Sequence, residues 1–258
     1  MKTYNKIVGL IAGIAILFAS CSKGGDQDGL RNGKAMLLME TKVDDIMKAR
    51  YEYDSENRVT KIYGYDDAGT LITTLTYTYG SNGLLNTVEM KDTGGEVQST
   101  ETFNYGDDGK PTSSFLVTGD GGVLHTTSTT YTYSTGKLVE KTNIPGGFTT
   151  ENTYTFDSKG NVQAIDTSMQ GFWSSTIEFG DYDDKHTAGR YGNPYAWKYN
   201  SPNNYRSQKI RTPYEAGNQD IVFIYSYNGE GYPTKMEKYN KDDNQLIETY
   251  TYSYGSAN

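Results

Sequence analysis

The sequence predicts an all-β protein: an antiparallel up-and-down meander of about 14–16 strands, forming a curled sheet or wide barrel, water-soluble. Three observations predict it. A short phrase recurs along the chain, two aromatics at i and i+2, then a turn, then an aliphatic; its clearest copy is Tyr77-Thr78-Tyr79-Gly80-Ser81-Asn82-Gly83-Leu84-Leu85. Within each copy the aromatics alternate with Thr, Ser, Glu or Asn, the period of two that marks a strand with one apolar face. Each repeat also holds two clusters of Asp, Asn and Gly, residues that bond their own backbone or supply positive φ in turns.

The copies start at Tyr51, Tyr77, Phe103, Tyr131 and Tyr154, with a weaker one at Ile177, then Tyr225 and a terminal half-copy at Tyr250; within the two unbroken runs the steps are 23 to 28 residues. A period in that range marks a repeat architecture with one supersecondary unit per copy. Over residues 71–79 one face carries Leu71, Thr73, Leu75, Tyr77 and Tyr79, and the other Ile72, Thr74, Thr76 and Thr78. Thr and Tyr favour strands, and no helical stripe competes. Each copy therefore reads as one hairpin, and sequential hairpins as a meander long enough to curl or close.

Residues 1–20 read as a lipoprotein signal peptide. Lys2 and Lys6 form a positive start, Ile7 to Phe18 an apolar run short for a spanning helix, and Ala19-Ser20-Cys21 the end of it. The pattern resembles the bacterial lipoprotein signal, which implies that Cys21 is diacylated and becomes the mature N-terminus. Cys21 is the only cysteine, so no intrachain disulfide can form. Residues 21–34, the lipidated Cys and a Gly- and charge-rich stretch, read as a flexible tether. Such an anchor holds a domain at a membrane surface. Ser22 after the cysteine implies, by the usual sorting rule, the outer membrane, with the periplasmic or the cell-surface face left open.

Residues 35–258 read as a single β-repeat domain. Residues 35–50 are its most aliphatic part, and Thr41, Val43 and Tyr51 favour a first strand pair there over a short helix. The rhythm breaks over about 180–220, which holds Asp181, Asp183, Asp184, His186, Pro194, Pro202, Pro213 and many aromatics. A long irregular insertion in a regular β-fold is usually functional or a plug.

The phrase Tyr51-Glu52-Tyr53-Asp54-Ser55-Glu56-Asn57-Arg58-Val59, with Asn57 where a glycine is usual, resembles the YD repeats of RHS-type and teneurin-type proteins. The lipoprotein signal, the short length and the Asn193-Pro194 insertion are similar to a family of Bacteroidetes lipoproteins of unknown function with a porin-like β-fold. The resemblance covers roughly residues 45 to 255. It implies a fold and an envelope address, and lends the chain no catalytic residues.

With 24 Lys and Arg against 32 Asp and Glu the formal net charge is −8, and nucleic acid, which calls for a basic face, is not an expected partner. An integral membrane barrel is not expected either, because the face opposite the tyrosines is Thr, Ser, Lys and Glu, where a lipid-facing band is apolar. No nucleophile elbow and no phosphate loop is present, and no cofactor is expected. The loop acids Asp181, Asp183 and Asp184 with His186 are weak metal-ligand candidates whose spacing matches no known loop. His125 alternates with Thr in a strand and reads as a surface or lumen residue. The strongest ligand candidates are aromatic. Trp173, Tyr195, Trp197 and Tyr199 offer a platform on which the apolar faces of sugar rings stack, or else they cap the sheet.

The sequence thus points to a lipid-anchored, non-catalytic protein of the cell envelope that binds a glycan, peptide or protein partner. The alternative is a polysaccharide-degrading hydrolase or lyase using carboxylates of the 180–220 insertion.

Overall fold

The computed structural model describes residues 35–120, 123–198 and 201–257. The expected signal peptide, Cys21, the tether and Tyr199 lie outside the described residues. Sixteen strands follow one another: β1 (Met36–Val43), β2 (Ile46–Tyr53), β3 (Val59–Tyr65), β4 (Leu71–Tyr79), β5 (Leu85–Lys91), β6 (Val97–Tyr105), β7 (Pro111–Asp120) and β8 (Val123–Ser134). Then come β9 (Lys137–Ile144), β10 (Phe148–Phe156), β11 (Val162–Met169), β12 (Phe172–Gly180), β13 (Ser207–Arg211), β14 (Gln219–Tyr227), β15 (Pro233–Asn240) and β16 (Leu246–Ser256), with one three-residue 3-10 turn at Glu215–Gly217. Every strand pairs antiparallel with its sequence neighbours, and β1 pairs with β16 as well as β2, so the sheet is a closed barrel.

The two turns of each repeat fall at opposite ends of the barrel, and one device recurs at both ends. In Asp157-Ser158-Lys159-Gly160, the Asp157 carboxylate accepts the Lys159 and Asn161 amides, each at 2.8 Å, while Gly160 takes φ +84°. Such a left-handed residue costs a Cβ-bearing side chain about 1–2 kcal/mol. Asp54 does the same for Glu56 and Arg58, and there Asn57 carries the positive φ of 63°. Asn is one of the non-glycine residues that enter that region most readily, which explains its place in the repeat.

The second aromatic of the phrase has its own task. Tyr79 donates to the Val59 carbonyl at 2.7 Å, Tyr133 to Pro111 at 3.1 Å and Tyr254 to Pro233 at 2.7 Å; Tyr182 reaches the Val162 carbonyl in the same way. Each acceptor is the first residue of the preceding odd-numbered strand. In the β3–β4 ladder the last paired residues are Lys61 and Thr76, so the Val59 carbonyl lies beyond its β4 partners. A buried carbonyl left alone is costly, and the phenol satisfies it. At Tyr105 the device fails, because its hydroxyl is buried without a partner.

Of the two shapes expected, the wide barrel is the one observed, and two other expectations, water-solubility and the bounds of the insertion, require correction. The strand count lies at the top of the expected range, and the curled sheet left open by the sequence is a fully closed barrel, because β1 and β16 present matching registers from Met36 opposite Ser256 to Val43 opposite Tyr250. The expectation that the barrel is water-soluble does not follow from this architecture. Closure satisfies every ladder internally, which is also what a bilayer demands of a β-structure. The irregular insertion is also shorter than about 180–220: it runs over residues 181–206, after which β13, the 3-10 turn and β14 resume the sheet.

Candidate functional site

Residues 181–198 and 201–206 enter the barrel. Tyr195 lies edge-on to Tyr77 of β4 with ring centroids at 6.4 Å, and Trp197 lies edge-on to Phe103 of β6 at 5.5 Å and Tyr131 of β8 at 6.3 Å. Lys198 meets Glu140 of β9, Ser201 accepts the Val162 amide of β11 at 3.0 Å, and Tyr205 packs against Phe223 of β14 at 5.0 Å. A Cβ on Gly192 would stand 2.6 Å from the Tyr53 ring of β2. A segment that touches the same face of strands right round a closed sheet can only be inside it. The tyrosine face is therefore luminal, and the plug closes the lumen at the end where the described chain begins and ends, with Ala35 and Ala257 hydrogen-bonded at 3.2 Å. The opposite face points outward, with Thr74, Thr76 and Thr78 on β4 and Arg50 and Glu52 on β2.

The plug is fixed to the wall by a buried polar network. Lys198 Nζ donates to Glu140 Oε1 at 2.8 Å, and Tyr154 donates to Oε2 at 2.9 Å. Asn152 also reaches Oε2, at 3.4 Å, and is itself held by Thr167. Burial pushes the Glu140 carboxyl up, but the Lys198 charge and these hydrogen bonds outweigh it and hold the group below its ordinary range. Glu101, on the same luminal face, goes the other way: burial raises it, with only partial relief from Lys198 and Ser114. The sequence carries a signal for both. An acid on the register of Phe103, or of Leu138, is an acid on a buried face, and buried acids are nearly always paired.

On the other side of the plug a cavity of about 120 Å³ opens between plug residues Thr187, Ala188, Asn204 and Tyr205 and the wall of β13 to β16. Phe223, Tyr225, Tyr250 and Tyr252 supply its aromatic walls, and Met236, Gln208 and Lys238 also line it. Tyr250 and Lys238 both donate to Glu248 Oε2, at 2.9 and 3.2 Å. The Tyr252 hydroxyl has only the Met236 thioether, at 3.8 Å, a weak acceptor. Burial raises the phenols of Tyr225 and Tyr252 well above their ordinary value and that of Tyr205 to about 12. They remain neutral donors at any physiological pH.

Of the residues singled out from the sequence, Tyr195 and Trp197 come together, centroids 5.5 Å apart. They sit inside the plug, enclosed by Tyr77, Phe103 and Tyr131. Trp173 is remote from them: it lies on the outer wall, about half exposed, donating to Thr176 at 3.0 Å, which in turn binds Asp166. The loop acids do not converge. Asp183 receives the Tyr227 hydroxyl and the Asn204 amide, Asp184 pairs with Lys185, and Arg190 faces His186 Nδ1 at 3.0 Å. Burial and that guanidinium depress the imidazole pKa. Among the described residues no group of three or more His, Cys, Asp or Glu is assembled to hold a metal ion. His125 pairs with Thr118 on the luminal register of Tyr131, near the unplugged end.

The fold has solved relatives. It is similar to a porin-like protein from Bacteroides vulgatus ATCC 8482, with a TM-score of 0.53 and 12% identity over 86% of this chain and 99% of that one. It is similar also to a porin-like protein from Bacteroides uniformis ATCC 8492, with a TM-score of 0.54 and 13% identity over 84% of this chain and 98% of that one. No family model matches the sequence, and no curated protein does. At these identities the likeness shows the fold: a closed antiparallel barrel of the kind described as porin-like.

Proposed function

We propose that the chain is a lipid-anchored, non-catalytic protein of the outer membrane that binds a glycan inside its barrel. The observation that carries the binding reading is the cavity beside Tyr205, Tyr225 and Tyr252. Aromatic walls with a few convergent polar groups are the usual make-up of a small-ligand site, and the apolar face of a sugar ring matches a tyrosine ring. Gln208, Lys238 and the under-used Tyr252 hydroxyl offer partners for sugar hydroxyls.

The neighbours' description as porin-like raises a channel as the obvious rival, and the plug supports binding over conduction. Attachment through Cys21 is favoured by the outer wall. Arg50 is exposed and Lys61 partly so, both on the outer face, and each such charge at a bilayer midplane costs about 2–4 kcal/mol. A Cys21→Ser variant should leave the membrane fraction. The acyl-bearing N-terminal peptide should vanish from its mass spectrum.

A glycan array followed by calorimetry on residues 22–258 tests the ligand. Binding that falls at least tenfold in Gln208→Ala, and clearly in Tyr252→Phe, supports the reading; binding indifferent to both variants sinks it. The hydrolase reading has one observation in its favour, two luminal carboxyls, Glu101 and Glu140, shifted in opposite directions. Release of reducing ends by the wild type, abolished in Glu101→Gln, would replace binding with turnover.

A further inference from the structure

At the unplugged end of the barrel, exposed apolar side chains are concentrated in one arc and exposed acids in the other. Eight hairpins meet there, and three adjacent ones, β7–β8, β9–β10 and β11–β12, carry apolar tips. Val123, Leu124, Ile144, Phe148, Met169 and Phe172 are all exposed, Leu124 at 74% and Phe172 at 78%. Trp173 continues the arc on its outer side. The hairpins β15–β16, β1–β2, β3–β4 and β5–β6 complete the ring with exposed Asp44, Asp45, Asp67, Glu96, Asp242 and Asp243, and with the exposed apolar Val97, Leu246 and Ile247 at the feet of two of them. Lys241 is the exposed cation among them, Lys48 pairs with Asp67, and Lys91 pairs with Glu89. The β13–β14 loop, with exposed Tyr214, lies between the arcs.

Most of the large exposed apolar side chains of the described residues sit on this one end, whereas Phe115 and Ile224 stand on the outer wall. Adjacent hairpins are about 10 Å apart, two strand spacings, so the apolar arc spans roughly 20 Å. Contiguous exposed patches of that kind mark interaction surfaces, whereas scattered ones need no explanation.

We infer that this rim docks a protein whose surface pairs an apolar patch with a flanking basic one. Charge decides among the occupants. An anionic bilayer meeting the apolar tips would also face the acidic arc across the same plane. A second copy of this chain would bring acid against acid, in a molecule whose net charge is already −8. A partner with Lys and Arg beside an apolar patch satisfies both arcs at once. The apolar half supplies affinity, and the acidic half fixes orientation and speeds encounter.

The test places a photo-reactive phenylalanine analogue at position 124, 148 or 172 of the full chain in its native host, with Thr78 and Thr102 on the outer wall as control positions. The inference expects one discrete protein adduct from the rim positions and none from the wall. That adduct should be lost in L124E/F172E and weakened at least fivefold in D44K/D67K/D243K. It should also fall as salt rises from 50 to 300 mM, because exposed charges are screened beyond about 8–10 Å. All these substitutions lie on turns or exposed tips, and an unchanged melting temperature confirms that the barrel is intact. Rim and wall adducts of equal yield overturn the inference, as does a rim adduct indifferent to salt and charge reversal. Co-sedimentation with vesicles of phosphatidylethanolamine and phosphatidylglycerol that L124E/F172E abolishes overturns it in favour of lipid. Dimerisation of the purified chain through the same positions overturns it in favour of self-association.

Discussion

Lys198 of the luminal plug and Glu140 of the barrel wall form an ion pair at 2.8 Å, with both side chains largely withdrawn from solvent. It joins the irregular segment to the regular sheet at a point where desolvation is severe. Breaking a buried pair by removing one partner strands the other charge, at a cost of about 3–5 kcal/mol, while replacing both by apolar groups is often close to neutral. Lys198→Met alone should therefore lower unfolding stability by roughly that amount, and Lys198→Met with Glu140→Leu should recover most of it. Urea denaturation of the single and double variants checks this.

The two luminal carboxyls set opposite pH trends. Glu101 is raised in the fold, so the folded state holds that proton more tightly. Stability should rise as pH falls from 7 through its folded pKa. Glu140 is depressed; its contribution is complete above the unfolded value of about 4.3 and is lost as pH falls through the folded one. Midpoints of denaturation measured from pH 3 to 8 should show both limbs. Glu101→Gln should remove the upper one, and the Lys198→Met, Glu140→Leu pair should flatten the lower.

The tyrosine clasps carry an internal control. Tyr79, Tyr133 and Tyr254 each satisfy a strand-start carbonyl, and Phe at each position should cost about 1–3 kcal/mol because an acceptor is left unpaired. Tyr105 has no such bond, so Tyr105→Phe should be neutral or stabilising. Thermal melts of the four variants decide.

Gly192 tests how closely the plug fits. It combines φ +82° with a Cβ position 2.6 Å from the Tyr53 ring. Gly192→Ala should cost at least 1–2 kcal/mol for the backbone alone. It should also loosen the plug, seen as faster hydrogen exchange in 181–206 with β2 to β6 unchanged.

The hairpins, their two turns and the first strand pair at 36–53 were legible because Tyr, Thr, Asp and Gly each act locally, through alternation or turn geometry. Closure was not. Whether β16 reaches β1 depends on the accumulated twist and stagger of every strand between, to which no single residue testifies. The break at residue 181 was visible as lost rhythm, and a plug was one of its two readings. Its luminal position, and with it the enclosure of Tyr195 and Trp197, follows from contacts with strands far away in sequence. Trp173 was grouped with them by residue type, whereas a register shift between Thr167 and Ser168 in the β11–β12 ladder and the alternation of β12 send it outward. The cavity residues Gln208 and Tyr252 were missed because the cavity exists only where the plug packs against the curled face of β13 to β16.

The protein has two tryptophans, and the fold puts them in opposite environments, one in the plug and one on the outer wall. Iodide quenching of Trp173→Phe, in which Trp197 alone emits, is the most direct test that residues 181–206 fill the lumen. A blue-shifted emission with a quenching constant several times smaller than that of Trp197→Phe is the expected result. A red-shifted Trp197, quenched as readily as Trp173, would place the segment outside the barrel and contradict the account.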